Sequence, residues 1–197
     1  MSQPWFLAID VSNTQTALGA FEAEVLREHW LLQTDPGRTA DEYAVLVRSL
    51  LQRAGNPTIS AVAVASSVPA MLPIVETLVR DVLKCEPLIV GPGVRTGMPI
   101  LYDKPQEVGA DRIVNAVAAY ARTQRTTIVV DLSTATIFDF ISGRGEYVGG
   151  VIAPGLGIAS DALFERTARL YRVELRRPKQ VIGRNTVHAI QSGLVYG

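Results

Sequence analysis

Short apolar runs separated by polar turns open the chain. Trp5 to Ile9 is apolar and stops at Asp10, Ser12-Asn13-Thr14-Gln15 is turn material, and Thr16 to Phe21 is the next strand-like run. Glu22-Ala23 then turns the chain into a third run, Val25 to Leu32. Three consecutive short strands predict an antiparallel meander. Next the period changes. Thr39-Ala40-Asp41-Glu42 has the form of a capping box, and behind it Tyr43, Leu46, Val47, Leu50 and Leu51 recur at helical spacing until Gly55-Asn56-Pro57. A buried strand at Ile59 to Ala65, a helix at Met71 to Leu83 and a strand at Pro87 to Val90 follow, before a glycine- and proline-rich loop from Gly91 to Pro99. A loop of that length points to function rather than connection. A meander followed by α/β alternation predicts an α/β domain with a mixed sheet.

The second half repeats the opening. After a helix carrying Ile113, Val114, Val117 and Ala118, a strand from Thr127 to Val130 ends at Asp131, and Ser133-Thr134 makes the turn. Ala135 to Ile141 and Glu146 to Ile152 read as the next two strands, and residues 157–168 as a helix. Asp10-Val11-Ser12-Asn13 and Asp131-Leu132-Ser133-Thr134 align within the same strand–Asp–turn–strand order. The expectation is a duplicated α/β unit with a ligand cleft between the copies, divided into residues 1–112 and 113–197.

Composition narrows the chemistry. Hydrophobic residues make up 48% and charged residues 19% of the 197, enough apolar material for a sizeable core. Nineteen Lys and Arg balance nineteen Asp and Glu, which argues against a nucleic-acid stripe or a membrane-surface patch. Lys84, Lys104 and Lys179 are the only lysines, and none sits in the glycine-rich context of a P-loop. The single cysteine, Cys85, excludes an intramolecular disulfide and a cysteine-rich zinc site. The N-terminus lacks a basic leader region, and no run approaches a membrane span, so a cytoplasmic protein is expected.

Two constellations carry candidate chemistry. An aspartate closing a buried strand, followed by a hydroxyl- and amide-rich turn, suits a metal–phosphate site: the carboxylate holds Mg²⁺ while turn N–H groups and hydroxyls meet phosphate oxygens. An aspartate there is also a common turn cap, and the duplication favours the ligand reading. The second constellation is Glu107-Val108-Gly109-Ala110-Asp111-Arg112 at the start of a helix. Asp111 falls in the first turn, where the helix dipole favours a negative charge and the carboxylate can accept a proton from an attacking hydroxyl. Arg112 beside it can pair with an anion or merely sit exposed. His29 and His188 lack metal-ligand spacing, Cys85 reads as an inert thiol, and Arg172, Arg176 and Arg177 read as a solvated cluster.

The chain resembles the type III pantothenate kinases in ordered pieces along its whole length. These are Asp10 to Thr14, Thr39 to Tyr43, Ala65 to Pro69, Gly91-Pro92-Gly93, Thr96-Gly97, Tyr102, Glu107 to Asn115, Asp131 to Asp139, Gly149-Gly150, Pro154-Gly155, Ile182 to Thr186 and Ser192 to Gly197. The resemblance implies the duplicated actin-like, ribonuclease H-like fold of sugar kinases, heat-shock ATPases and actin. It implies transfer of the ATP γ-phosphate to the primary hydroxyl of pantothenate. Carried over, Asp10, Val11, Ser12, Asn13, Thr14, Gln15, Thr16 and Ala17 form the first phosphate hairpin, with Asp10 on Mg²⁺, and Thr134 contacts ATP. Asp131 binds the monovalent cation, potassium or ammonium. Asp111 is the general base, Tyr102, Gly109, Ala110 and Arg112 line the pantothenate site, and Thr186 reaches it across a homodimer interface.

Three departures stand out. The family's turns usually carry glycine where this chain has Ser12 and Ser133. At φ > 0 each serine would cost on the order of 1 kcal/mol, whereas at negative φ its hydroxyl would crowd or bind the phosphate. Family members also continue beyond Tyr196-Gly197, so the second domain reads as truncated. The alternative expectation is therefore a catalytically weak or inactive homologue with a regulatory role.

Overall fold

A computed structural model of the chain describes residues 4–91 and 93–197. Residues 1–3, the start of the segment read for a leader, and Pro92 of the Gly91-Pro92-Gly93 piece lie outside the described residues. The opening meander is present as β1 (Trp5–Val11), β2 (Gln15–Glu22) and β3 (Val25–Gln33). In β1 the alternate residues Leu7, Ile9 and Val11 point into the core, as a two-residue period requires. β4 (Ile59–Ser66) pairs parallel to β1, and β5 (Pro87–Ile89) parallel to β4, giving a mixed five-stranded sheet in the order β3-β2-β1-β4-β5. β1 is therefore the central strand, and its C-terminal end carries Asp10.

The capping box predicted at Thr39 forms. The Glu42 backbone donates to Thr39 Oγ1 at 3.3 Å, and the Thr39 backbone donates to Glu42 Oε2 at 2.7 Å. It starts α1 (Ala40–Arg53), whose Tyr43, Ala44, Val47 and Leu51 are buried on one face. Tyr43 also ties that helix to the end of β3, its hydroxyl donating to the Gln33 carbonyl and accepting from the Asp35 N–H. The helix expected from Met71 is helical throughout but changes pitch. A 3₁₀ turn at Pro69–Met71 leads into α2 (Leu72–Leu78), and a π-helical stretch over Val79–Leu83 stops at Lys84 in the left-handed region.

The second unit opens with α3 (Ala110–Thr123), which packs against β4 of the first sheet and against the next strands. The division expected between residues 112 and 113 falls in its first turn. β6 (Thr127–Leu132), β7 (Ala135–Ile141) and β8 (Tyr147–Pro154) form an antiparallel sheet that repeats the β1–β2–β3 meander. Its inner face supplies Ile141 and Tyr147, both fully buried with Ala116 of α3. Its outer face exposes Ile128, Val130, Leu132, Phe138, Phe140 and Val151. α4 (Leu156–Arg166) follows, two residues shorter at its C-terminus than the pattern predicted. A last helix that the pattern left unassigned, α5 (Thr186–Tyr196), starts where Asn185 Oδ1 accepts from the His188 N–H at 2.8 Å, and it buries Ile190 and Leu194. Among the described residues, no helix is long and apolar enough to cross a membrane.

The capping box is exposed, so its contribution is separable from packing. Thr39→Ala is expected to lower the unfolding free energy by about 1 kcal/mol, measured by urea denaturation, with no effect on ligand binding.

Candidate active site

The two aspartate turns face each other across one cleft of about 420 Å³. Ser12, Asn13 and Thr14 line it from the first turn, Asp131, Ser133 and Thr134 from the second, and Asp111 from the start of α3. Each turn is closed by its own backbone. The Ser12 N–H donates to the Gln15 carbonyl at 3.0 Å, and the Ser133 N–H to the Ala135 carbonyl at 2.9 Å. The turns differ by one residue: Asp10 pairs with Ala17, whereas Asp131 pairs with Ile137. A wall of Ile137, Ile152 and Ile158 closes one side, and Ser67, just after β4, closes another while its backbone N–H donates to the Val11 carbonyl.

The expected hairpin residues divide by position. Val11 is fully buried in the core, and the Thr16 hydroxyl shares a buried 2.8 Å hydrogen bond with Thr34. Gln15, Thr16 and Ala17 belong to β2 and do not line the cleft. Asp10 lies beneath it. Its Oδ1 is buried and is the one buried side-chain polar atom among the described residues with no hydrogen-bond partner. Burial pushes the Asp10 carboxyl above the ordinary carboxylate range, and the negative charges of Asp111 and Asp131 push it the same way. An orphaned carboxylate oxygen facing two further carboxylates is what a cation site presents, so the residues fit Mg²⁺ and a monovalent ion. Among the described residues no three Asp, Glu, His or Cys side chains are placed to hold an ion unaided, so phosphate oxygens or water would complete the shell.

Gly109 is the N-cap of α3 with φ −58°, a conformation open to any residue. Its requirement is space: a Cβ there would collide with Asp111 Oδ1. Gly155 is constrained more severely, because a Cβ would strike the carbonyls of Ser133 and Thr134, where its own N–H donates to Thr134 at 3.1 Å. Gly155 lets a second segment press against the Ser133–Thr134 turn, and Gly109 leaves room for the Asp111 carboxylate beside its own helix start.

Arg112 is neither exposed nor aimed freely at the cleft. Its Nη2 and Nε donate to Asp139 Oδ1 at 2.6 and 3.1 Å, and the Tyr147 hydroxyl donates to the same oxygen at 2.7 Å. Burial opposes the guanidinium charge, but Asp139 outweighs it and raises its pKa further. Burial and the bond to Asp139 likewise hold the Tyr147 hydroxyl protonated. Removing one member of such a buried pair costs on the order of 3–5 kcal/mol. Asp139 and Tyr147 were not singled out from the sequence, although Asp139 closes one of its matched pieces. Tyr102 packs on Tyr147 with ring centroids 6.3 Å apart, in a separate depression with Lys104 and Glu107. Ala110 is buried, and Thr186, the first residue of α5, is not among the residues lining the cleft. The arginines read as solvated are exposed and locally paired, Arg172 with Asp161 and Arg176 with Glu174.

Similarity to known proteins follows the same outline. Solved structures of similar fold include a protein described as a Baf family transcriptional activator from Campylobacter jejuni (TM-score 0.57, 16% identity, 95% of this chain and 72% of that one). Another is an Aquifex aeolicus Ppx/GppA phosphatase (TM-score 0.50, 14% identity, 82% of this chain and 56% of that one). These likenesses show a shared α/β fold. Within it, a model of the type III pantothenate kinase family matches residues 6–197, and the chain belongs to that family. It is 54% identical over 193 residues to the type III pantothenate kinase of Syntrophotalea carbinolica and 53% identical to that of Myxococcus xanthus. These matches cover 97% of this chain and 76% and 75% of the respective relatives.

Two outcomes follow from the geometry. Because the folded state binds the Asp10 proton more tightly than the unfolded chain, stability falls as pH rises from the ordinary carboxylate pKa through the raised one. Asp10→Asn is therefore expected to raise the Tm of the ligand-free protein at pH 7 by about 2–4 °C, with the gain vanishing near pH 3, while Mg²⁺–nucleotide binding is lost. Gly109→Ala, which turns the Asp111 carboxylate aside, is expected to lower turnover at least about tenfold in steady-state assays with little change in Tm.

Proposed function

We propose that this chain transfers the γ-phosphate of ATP to the primary hydroxyl of pantothenate, yielding 4′-phosphopantothenate and ADP, the opening step of coenzyme A synthesis. The observation that carries the reading is one cleft holding both phosphate turns and the Asp111 carboxylate, in a chain of the type III pantothenate kinase family. Asp111 accepts the hydroxyl proton as the hydroxyl oxygen attacks the γ-phosphorus. The bond to the β–γ bridging oxygen breaks, and ADP leaves with that electron pair. A carboxylate held in place by its helix start acts here mainly by alignment, which is most of what phosphoryl transfer asks of a protein.

The turns supply the nucleotide site: Ser12, Asn13 and Thr14 on one side, Thr134 on the other, anchored by Asp10 and Val11 below and by Gln15, Thr16 and Ala17 along β2. Asp10 would hold Mg²⁺ through the phosphates, and Asp131 the potassium or ammonium ion. When bound, these cations neutralise charge on the transferred group. Tyr102, Gly109, Ala110 and Arg112 form the pantothenate side, supported by the link from Tyr102 through Tyr147 and Asp139 to Arg112. Thr186, outside the lining of its own cleft, would serve the site of a second copy in a cytoplasmic homodimer.

The regulatory alternative drew on strain at two serines and on a short second domain, and the first of these motives is absent. Among the described residues the non-glycine positive-φ positions are Ala23, Asn56, Lys84 and Gln124, so neither Ser12 nor Ser133 carries the strain that would weaken the phosphate turns. Pantothenate-dependent ADP release with Mg²⁺ and K⁺ tests the reading directly. Wild-type protein is expected to turn over, and Asp111→Asn to lose about a hundredfold or more in kcat. Absence of pantothenate-dependent release from folded wild-type protein would refute it.

A further inference from the structure

We propose that Ser12 and Ser133 are phosphate-binding residues, their two hydroxyls donating to nucleotide phosphate oxygens from opposite sides of the cleft. The inference deepens the nucleotide reading above and rests on it. The two serines hold equivalent places, each two residues beyond a strand aspartate, and both line the cleft. In both, the backbone N–H is already committed to closing the turn, to Gln15 in one case and Ala135 in the other. Neither residue can therefore offer the ligand the amide donor that phosphate loops ordinarily use. What remains is the side chain.

Those hydroxyls are available. Ser12 Oγ makes no hydrogen bond to another described residue, and Ser133 Oγ reaches the Ala135 carbonyl only at 3.4 Å, long for an O–H···O bond. Neither serine is at positive φ, so its Cβ costs nothing in backbone strain. The lining of the cleft also creates the demand. It contains no lysine or arginine, yet it contributes the carboxylates Asp111 and Asp131. A polyphosphate entering there with its cations must be gripped by neutral donors, and a hydroxyl donating to an ionised phosphate makes a charge-assisted bond stronger than a neutral one. Ser12 and Ser133 each place one such donor on the cleft, one from either turn.

Four single variants decide the matter: Ser12→Ala and Ser133→Ala remove the hydroxyl and keep Cβ, and Ser12→Gly and Ser133→Gly remove both. MgATP binding without pantothenate is measured by titration calorimetry, alongside KM for each substrate. Each substitution is expected to weaken MgATP binding about five- to tenfold, with the ATP KM rising in parallel, the pantothenate KM unchanged and Tm unmoved. Glycine variants that bind MgATP more tightly than wild type would show that the hydroxyls crowd the phosphates and would overturn the proposal. Alanine variants within about twofold of wild type would overturn it equally. Wild-type protein that binds no MgATP would sink the nucleotide reading as well, whereas wild-type binding with unaltered variants would remove this inference alone.

Discussion

Negative charge gathered at one end of two sheets is the constraint on which the rest of the structure turns. Asp10 closes the central strand β1, Asp131 closes its counterpart β6, and Asp111 starts the helix that packs on both sheets. The first is half-buried with an unpartnered oxygen, and the other two raise its proton affinity further. Like charges at such a place oppose folding, so they persist only where something bound repays them. The two sheets bring the same turn to the cleft from opposite sides. The proposed polyphosphate with its cations would relieve the repulsion and use the turn donors at once.

Around that charge the chain is held by close approach rather than by loops. Gly155 lets the start of α4 rest on the Ser133 and Thr134 carbonyls, and Gly109 leaves room for the Asp111 carboxylate to fold over the helix start. The one cation beside Asp111 is turned away from it: Arg112 is locked by Asp139, and Asp139 by Tyr147. Gly150 completes the lock, because a Cβ there would come within 2.6 Å of Asp139 Oδ1 and 2.8 Å of Arg112 Nη2. A carboxylate next to a free guanidinium would be held as an ion pair. With its neighbour occupied by Asp139, Asp111 is left open to the proton that the proposed reaction has to remove.

Much of this was legible in local pattern. The two meanders, the Thr39 capping box and the helix after Gly109 depend on period and on residues three or four apart, and they appear where the pattern put them. The duplicated Asp–turn unit was legible for the same reason, since each copy is a hairpin closed within a few residues. Less legible was α5, whose cap at Asn185 is clear but whose apolar stripe is short. The helix over Met71 to Leu83 was visible, but not its 3₁₀ entry at Pro69 or its change of pitch before Lys84.

The residue string alone determined the strand and helix periods, the paired aspartate turns and the motif carrying Asp111, because each is a relation between near neighbours. It could not decide the sign of φ at Ser12 and Ser133, or whether Arg112 points to solvent, to ligand or into the core. The first is set by how each turn closes on its own neighbours, Gln15 and Ala135, and the second by distant segments that bring Asp139 and Tyr147 to the guanidinium. Burial and pairing between residues 27 positions apart, as for Arg112 and Asp139, are properties of the folded packing, and only the tertiary structure sets them.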